Sequence, residues 1–113
     1  MPRDVKDFLA DILEHIANID GFLTGKDLAT FESDKQLRQS VYWSLFAIAE
    51  AVTESLRRDP SLMRDISEHR DIRSARNVLA HSYFAINDER IWDTCQNSLP
   101  VLKAEATVIL RRL

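Results

Sequence analysis

Turn-forming residues are scarce in this sequence of 113 residues, which contains only two glycines and three prolines. Antiparallel sheets need many tight turns, and those turns depend on Gly and Pro. The scarcity therefore argues against a sheet-rich fold. Long apolar runs are also absent, so we expect no membrane-spanning helix. The chain is charged from Arg3 onward and lacks the apolar stretch of a signal peptide.

Cysteine is nearly absent as well, because Cys95 stands alone and cannot form a disulfide within the chain. Nothing in the sequence therefore indicates an oxidising compartment, and we expect a cytoplasmic protein. The length is sufficient for one hydrophobic core and too short for two. We therefore expect residues 1–113 to form a single domain.

Positive charge is unevenly distributed, although the net charge is only −3. Residues 1–35 hold four Lys or Arg against eight Asp or Glu, whereas residues 57–76 hold six Arg and no Lys against four acidic residues. The planar guanidinium group suits phosphate, so the second window is a candidate for a local anion site. On charge alone, we prefer a solvated helix face with ion pairs. An acidic protein is not a generic nucleic-acid binder, so we expect no DNA binding and RNA contact only at a small site.

Apolar residues recur at helical spacing along most of the chain. Four long helices are predicted, at residues 4–24, 34–58, 70–82 and 88–113. Gly25 marks the end of the first helix, Asn87 caps the fourth, and Pro100 predicts a kink or a break within it. Residues 26–34 are predicted to be a short helical turn or a loop. The predicted fold is all-α, an antiparallel four- or five-helix up-and-down bundle.

The second predicted helix has an unusually wide apolar surface, because Tyr42, Trp43 and Phe46 extend it beyond one face. Such a helix is either central or part of an oligomer interface. Glu50 is embedded in the same region, between Ala49 and Ala51. Two interpretations of this carboxylate have equal weight: it pairs with a cation from the Arg-rich window, or it lies on the polar edge of the helix.

The segment at residues 76–83 concentrates chemical groups that the rest of the chain lacks. It holds the guanidinium of Arg76, the amide of Asn77, the imidazole of His81 and the phenol of Tyr83. Asn77 and His81 are four residues apart and share a helix face. Arg76 and His81 are separated by about 140° around a regular helix. Arg76 can therefore join them only if the helix ends or bends near His81, or if a second copy faces the first across a two-fold axis.

This set of groups suits the cleavage of RNA without a metal ion. An imidazole serves as a general base or acid near neutral pH, and an arginine stabilises charge that develops on phosphate oxygens. The sequence contains no Gly-rich phosphate loop and no HExxH motif. Asp11 with His15 and Asp65 with His69 are isolated i,i+4 pairs, which we interpret as surface features rather than metal sites. With eleven arginines and three histidines, a chance pairing is easy, so the pattern alone is weak support for catalysis.

Residues 76–83, Arg-Asn-Val-Leu-Ala-His-Ser-Tyr, resemble the R-x4-H-x-Y signature of HepT-like proteins in the HEPN superfamily. The stretch at residues 48–51, Ile-Ala-Glu-Ala, is similar to the Ile-Gly-Glu-Ala of that family. The resemblance implies an all-helical homodimer with a composite site at its two-fold interface. It also implies an RNase toxin that is paired with a minimal nucleotidyltransferase antitoxin. From the chemistry of the residues, we expect neither a cofactor nor a metal ion.

The resemblance assigns roles to individual residues. It implies that Arg76 and His81 are catalytic and that Tyr83 is the hydroxyl that the antitoxin modifies with AMP. Apart from the resemblance, we predict that three residues support the site, namely Asn77, Arg73 and Glu50. An adenylate on Tyr83 would place negative charge and bulk beside the cation that receives RNA phosphate, and would block the site.

Three functional hypotheses remain open at this point. The first is a metal-independent endoribonuclease controlled through Tyr83, and we prefer it mainly because of the resemblance. The second is a non-catalytic HEPN helical module that pairs with a nucleotidyltransferase or binds a nucleotide. The third is a structural helical dimer in which Arg76 and His81 pair with acids such as Glu50.

Overall fold

The computed structural model describes residues 3–113, and all regular secondary structure in that range is helical. The α-helices are α1 (Val5–Leu23), α2 (Leu28–Ser33), α3 (Lys35–Arg58), α4 (His69–His81), α5 (Asp88–Asp93) and α6 (Leu99–Arg112). Short 3₁₀ turns lie at Pro60–Met63 and Tyr83–Ala85. The predicted all-α bundle is confirmed. No helix within residues 3–113 combines the length and hydrophobicity required to cross a bilayer.

Helix boundaries follow from capping side chains, which bond the backbone N–H groups that the first turn leaves unpaired. Asp4 accepts a hydrogen bond from the Asp7 N–H, and the Asp7 carboxylate accepts one from the Asp4 N–H, which is a capping box. Asp34 caps α3, and Asn87 caps α5 as predicted. The segment 26–34, predicted as a short helical turn or a loop, contains the short helix α2, which is capped by Asp27.

Helix α3 is the centre of the bundle, because it packs against α1, α2 and α4, while α1 also packs against α6. The wide apolar surface predicted either a central helix or an oligomer interface, and the packing shows that α3 is central. Buried apolar side chains from the packed helices form one cluster. The largest fully buried members include Leu9, Ile16, Phe31, Leu45, Ile48, Ile72, Leu102 and Ile109. Tyr42 borders this cluster, with its ring edge-on to Phe31 at 6.4 Å between centroids.

Pro100 lies just after a widened π-helical turn, Thr94–Ser98, which joins α5 to α6. Proline lacks an N–H, and its ring clashes with the carbonyl four residues earlier in a regular α-helix. A wider turn relieves that conflict. The backbone keeps helical dihedral angles at both ends of the turn, with φ −58° at Thr94 and −65° at Leu99. The irregularity predicted at Pro100 is therefore present, and it is a π turn rather than a break.

Substitutions of the two glycines test the assigned C-terminal end of α1. Gly25 has a φ of +73°, just after α1 ends, whereas Gly21 lies within α1 and is exposed. An added Cβ meets no atom within 4 Å at either position. We expect Gly25→Ala to lower the free energy of unfolding by about 1 kcal/mol, because left-handed backbone is costly for alanine.

Gly21→Ala is the matched control for this prediction. We expect it to raise the free energy of unfolding by up to about 1 kcal/mol, because alanine favours a helix over glycine. Urea denaturation followed by circular dichroism measures both variants. Equal effects of the same sign would contradict the assigned end of α1.

Candidate functional site

Arg76 and His81 meet within a single chain at the C-terminal end of α4. The helix ends at His81, and Ser82 leaves the helical region with φ −136° and ψ 38°. Arg76 Nη1 lies 3.4 Å from His81 Nε2. Because α4 ends at His81 and the backbone departs from it at Ser82, the long Arg76 side chain can reach the imidazole. The first of the two conditions predicted from the sequence, a helix that ends near His81, is therefore met.

Glu50 of α3 holds Arg76 from the opposite edge of the guanidinium group. Arg76 Nε donates to Glu50 Oε1 at 2.6 Å, and the two side chains are 30% and 42% exposed. Arg76 Nη1 is also 3.5 Å from Asn77 Oδ1, and its Cζ lies 5.8 Å from the centre of the Phe46 ring. Of the two interpretations of Glu50, pairing with the Arg-rich window is correct. The carboxylate engages Nε, so Nη1 remains directed at Asn77 and His81.

Arg73 lies one turn before Asn77 on α4 and shares a face with it and with Arg70. Within residues 3–113, Arg73 forms no hydrogen bond and no ion pair. By contrast, Arg57 and Arg58 both pair with Glu54, at 2.7 Å for Arg57 Nη2. The solvated face with ion pairs is therefore the right description for the start of the Arg-rich window. On α4, by contrast, Arg73 is a cation without a partner among the described residues.

A second set of contacts ties α4 to the π turn. Asp71 Oδ2 accepts a hydrogen bond from Ser98 Oγ at 2.8 Å and one from Thr94 Oγ1 at 3.3 Å. Arg90 adds an Asp71 contact at 3.7 Å. Thr94 and Ser98 are buried, so these hydroxyls need internal partners. Sequence reasoning missed this network, although Pro100 signalled the irregular turn that presents the two hydroxyls.

Tyr83 begins the 3₁₀ turn that follows His81, and it is 75% exposed. Its ring packs edge-on against Phe84 at 5.9 Å between centroids. Tyr83 also lines a groove of about 450 Å³ between α3 and the end of α4. The groove walls include Gln39, Trp43, Phe46, Leu79, Tyr83 and Ile86. Sequence reasoning treated Trp43 and Phe46 as an apolar surface and did not place them beside the site.

Tyr42 is a contrasting phenol, because it is half-buried and donates a hydrogen bond to Asp88. Burial and the neighbouring Asp88 carboxylate both raise the pKa of Tyr42 far above its ordinary value. The hydroxyl of Tyr42 is therefore a poor nucleophile and is already engaged. Of these two phenols, Tyr83 is the accessible one.

The other candidates for chemistry are either buried or paired with other side chains. Burial raises the pKa of the Cys95 thiol to about 12, and the Asp20 charge adds to the rise, so the thiol is unreactive. Asp11 bonds Arg3 rather than His15, and Asp65 bonds Arg112 at 3.0 Å. Residues 3–113 contain no cluster of three His, Cys, Asp or Glu side chains suited to a metal ion.

Comparison with known proteins assigns the chain to a family. The family model described as "Ribonuclease HepT-like" matches residues 12–109. This chain belongs to the HepT-like family. The resemblance indicated by residues 76–83 is thereby confirmed at the level of the family. The roles of individual residues remain predictions.

The relatives in this family match the chain along nearly its whole length. "Putative RNase MJ0125" of Methanocaldococcus jannaschii is 30% identical over 114 residues, covering 98% of this chain and 95% of the relative. "Putative RNase MJ0127" of the same organism is 37% identical over 101 residues, covering 88% and 83%. "Probable ribonuclease HepT" of Thermococcus cleftensis is 30% identical over 105 residues, covering 93% and 94%. Among solved structures, none matches the chain significantly.

The Arg76–Glu50 contact leads to a prediction about the mobility of the Arg76 side chain rather than about the stability of the fold. We expect Glu50→Gln to lower the free energy of unfolding by less than about 1 kcal/mol, because both side chains are partly exposed to water. We expect the same change to release Arg76, so that its Nε–H signal in NMR spectra exchanges faster with water. Glu14→Gln, on the exposed face of α1, is the control. An unchanged exchange rate in Glu50→Gln would contradict the role of Glu50 in holding Arg76.

Proposed function

We propose that this protein is an endoribonuclease that cleaves RNA at a site formed by Arg76 and His81. The observation that carries the proposal is the 3.4 Å contact between Arg76 Nη1 and His81 Nε2 at the C-terminal end of α4. Membership in the HepT-like family and the names of its RNase relatives support it. An arginine paired with an imidazole supplies a fixed cation and a proton-transfer group in one place.

The reaction follows from these two groups. His81 removes the proton from a ribose 2′-hydroxyl, and the resulting oxygen attacks the adjacent phosphorus. The bond from phosphorus to the 5′-oxygen breaks, and that oxygen takes up a proton from a second, protonated imidazole or from water. The products are a 2′,3′-cyclic phosphate and a 5′-hydroxyl. Arg76 stabilises the charge on the non-bridging oxygens, and these steps need no metal ion.

Asn77 and Arg73 support this reaction in different ways. Asn77 lies beside Arg76 and shares a helix face with His81, so its amide orients the imidazole or donates to the phosphate. Arg73 has no ion pair within the described residues and contacts a neighbouring phosphate of the RNA. Glu50 acts through Arg76 by holding its guanidinium group.

We propose that the active form is a homodimer. One imidazole cannot act as base and acid in the same step, and a two-fold axis near the end of α4 would bring a second His81 into the cleft. Phe84 is 81% exposed beside the site and is the apolar anchor for such a contact. Light scattering is expected to give twice the 13.0 kDa mass of the chain. A fully active monomer would overturn this part of the proposal.

We also propose that the protein is the toxin of a toxin–antitoxin pair, silenced when a minimal nucleotidyltransferase modifies Tyr83. The Tyr83 oxygen attacks the α-phosphorus of ATP, its proton passes to a base of the partner enzyme, and pyrophosphate leaves. The 75% exposure of Tyr83 supports this proposal, because a second enzyme must reach the hydroxyl. The attached adenylate then places negative charge beside the His81–Arg76 pair and repels RNA phosphate.

Cleavage tests the first proposal. We expect His81→Ala to lower the cleavage rate of RNA at least about a hundredfold, because general acid–base catalysis contributes that much or more. The assay compares purified proteins on tRNA and mRNA with a chelator present. The fold is checked by circular dichroism, which we expect to be unchanged because His81 is exposed.

His69→Ala is the matched control for His81→Ala. His69 begins α4, and the twelve-residue step from His69 to His81 separates the two histidines by roughly 18 Å along the helix axis. We expect this variant to cleave RNA at the wild-type rate once its fold is verified. Cleavage by His81→Ala at the wild-type rate would overturn the proposal. An unmodified wild-type protein that does not cleave would favour the non-catalytic binding module.

The two tyrosines test the control mechanism. We expect a minimal nucleotidyltransferase with ATP to add one adenylate to the wild-type protein and to abolish cleavage. Tyr83→Phe is expected to cleave RNA without being modified or silenced. Tyr42→Phe is the control and is expected to be modified like the wild type, because the Tyr42 hydroxyl is engaged by Asp88. Intact-mass spectrometry and the cleavage assay measure both effects, and modification of Tyr83→Phe would contradict the assignment.

A further inference from the structure

We infer that the groove beside the Arg76–His81 pair binds one unpaired nucleobase of the RNA, with Trp43 as its stacking platform. The inference rests on the proposed function. It adds a substrate class to that function, namely single-stranded RNA in which one base can unstack from the neighbouring bases of the RNA. The groove measures about 450 Å³ and is mainly apolar. That size suits a small aromatic ligand.

Trp43 is the central feature of the groove, because its large indole is 67% exposed. It stacks with Phe46, with ring centroids 6.4 Å apart and an angle of 25° between the planes. An exposed and supported aromatic ring is the platform on which nucleobases stack in proteins that bind single-stranded nucleic acids. Trp43 and Phe46 are three residues apart on α3, so they lie on neighbouring positions of one helix face.

The platform is continuous with the proposed catalytic site. The Phe46 ring contacts both the Trp43 indole and Arg76, whose Cζ is 5.8 Å from the Phe46 centroid. Tyr83 lines the groove and follows His81 by two residues. A phosphate held by Arg76 would therefore place a neighbouring base beside Trp43. A paired base inside a duplex cannot reach such a groove without leaving its stack.

Polar chemistry also favours a nucleobase. Gln39 lines the groove, and its amide can both donate and accept, as the edge of a base requires. The net charge also favours binding of a nucleobase, because a protein with a net charge of −3 gains little from general attraction to the RNA backbone. Stacking then supplies affinity that the backbone contacts do not. A second copy of this protein is the competing occupant of the groove, and the fluorescence of Trp43 distinguishes it from a nucleobase.

Fluorescence of Trp43 provides the direct test. The other indole, Trp92, is half-buried against Phe31, and Trp92→Phe leaves Trp43 as the single tryptophan, which is excited selectively at wavelengths that tyrosine does not absorb. The probe is a dinucleotide with a 2′-O-methyl group at the cleavage position, which removes the nucleophile. The comparison probe lacks the base on one nucleotide and keeps the phosphate. We expect saturable quenching by the complete probe and at least about tenfold weaker binding of the abasic one, as expected for loss of one stacked base.

Substitutions at the platform complete the test. We expect Trp43→Ala to weaken binding of a labelled 2′-O-methyl RNA at least about tenfold, measured by anisotropy, and Trp43→Phe to retain most of the binding. Phe22→Ala is the matched control, because Phe22 is an exposed aromatic on α1 that does not line the groove. Trp43→Phe and the quenching data keep the test decisive if Trp43→Ala does not fold.

Two outcomes would overturn the inference. Equal binding of the complete and abasic probes would show that no base enters the groove. Trp43 emission that changes with protein concentration but not with the probe would show that a second copy fills it. Both assays use non-cleavable RNA, so they are independent of cleavage. Base binding without cleavage would refute only the nuclease, whereas cleavage without base discrimination would refute only the groove.

Discussion

The ion pair between Arg76 of α4 and Glu50 of α3 is the interaction on which the candidate site depends. It contributes little to stability, because both side chains are partly exposed and water screens their attraction. Its importance is that it orients the guanidinium group of Arg76. The carboxylate engages Nε, and the planar guanidinium then points Nη1 at His81 and Asn77. The central helix of the bundle therefore orients a side chain that belongs to its neighbour.

The placement of α4 gives this contact its geometry. Ile72 and Ala75 bury one face of α4 in the core, and Asp71 binds the hydroxyls of Ser98 and Thr94 in the π turn. Because Pro100 cannot continue a regular helix, the widened turn ahead of it presents those two hydroxyls toward α4. A distant irregularity in the chain thus helps to set the position of the helix that carries Arg76 and His81.

The groove, the ion pair and the helix end form one continuous surface. Phe46 contacts both Arg76 and Trp43, so an apolar platform adjoins the Arg76–His81 pair. Tyr83 stands at the boundary between them, exposed to solvent. The same position would allow a modifying enzyme to reach its hydroxyl and an attached group to obstruct both the pair and the groove. Catalysis, base recognition and control would therefore share a few residues of α3 and the end of α4.

Local sequence determined the helices of this protein, because capping side chains and the 3.6-residue apolar period act over a few residues. Asp34 and Asn87 mark helix starts, and Pro100 marks an irregular turn, without reference to the rest of the fold. Family membership was also evident in residues 76–83 and 48–51, and comparison confirmed it. The partner of Glu50 and the meeting of Arg76 with His81 were left open. Only tertiary structure decided them, because helical spacing allowed either one chain or two to join these residues, and because helix packing alone set which cation Glu50 meets.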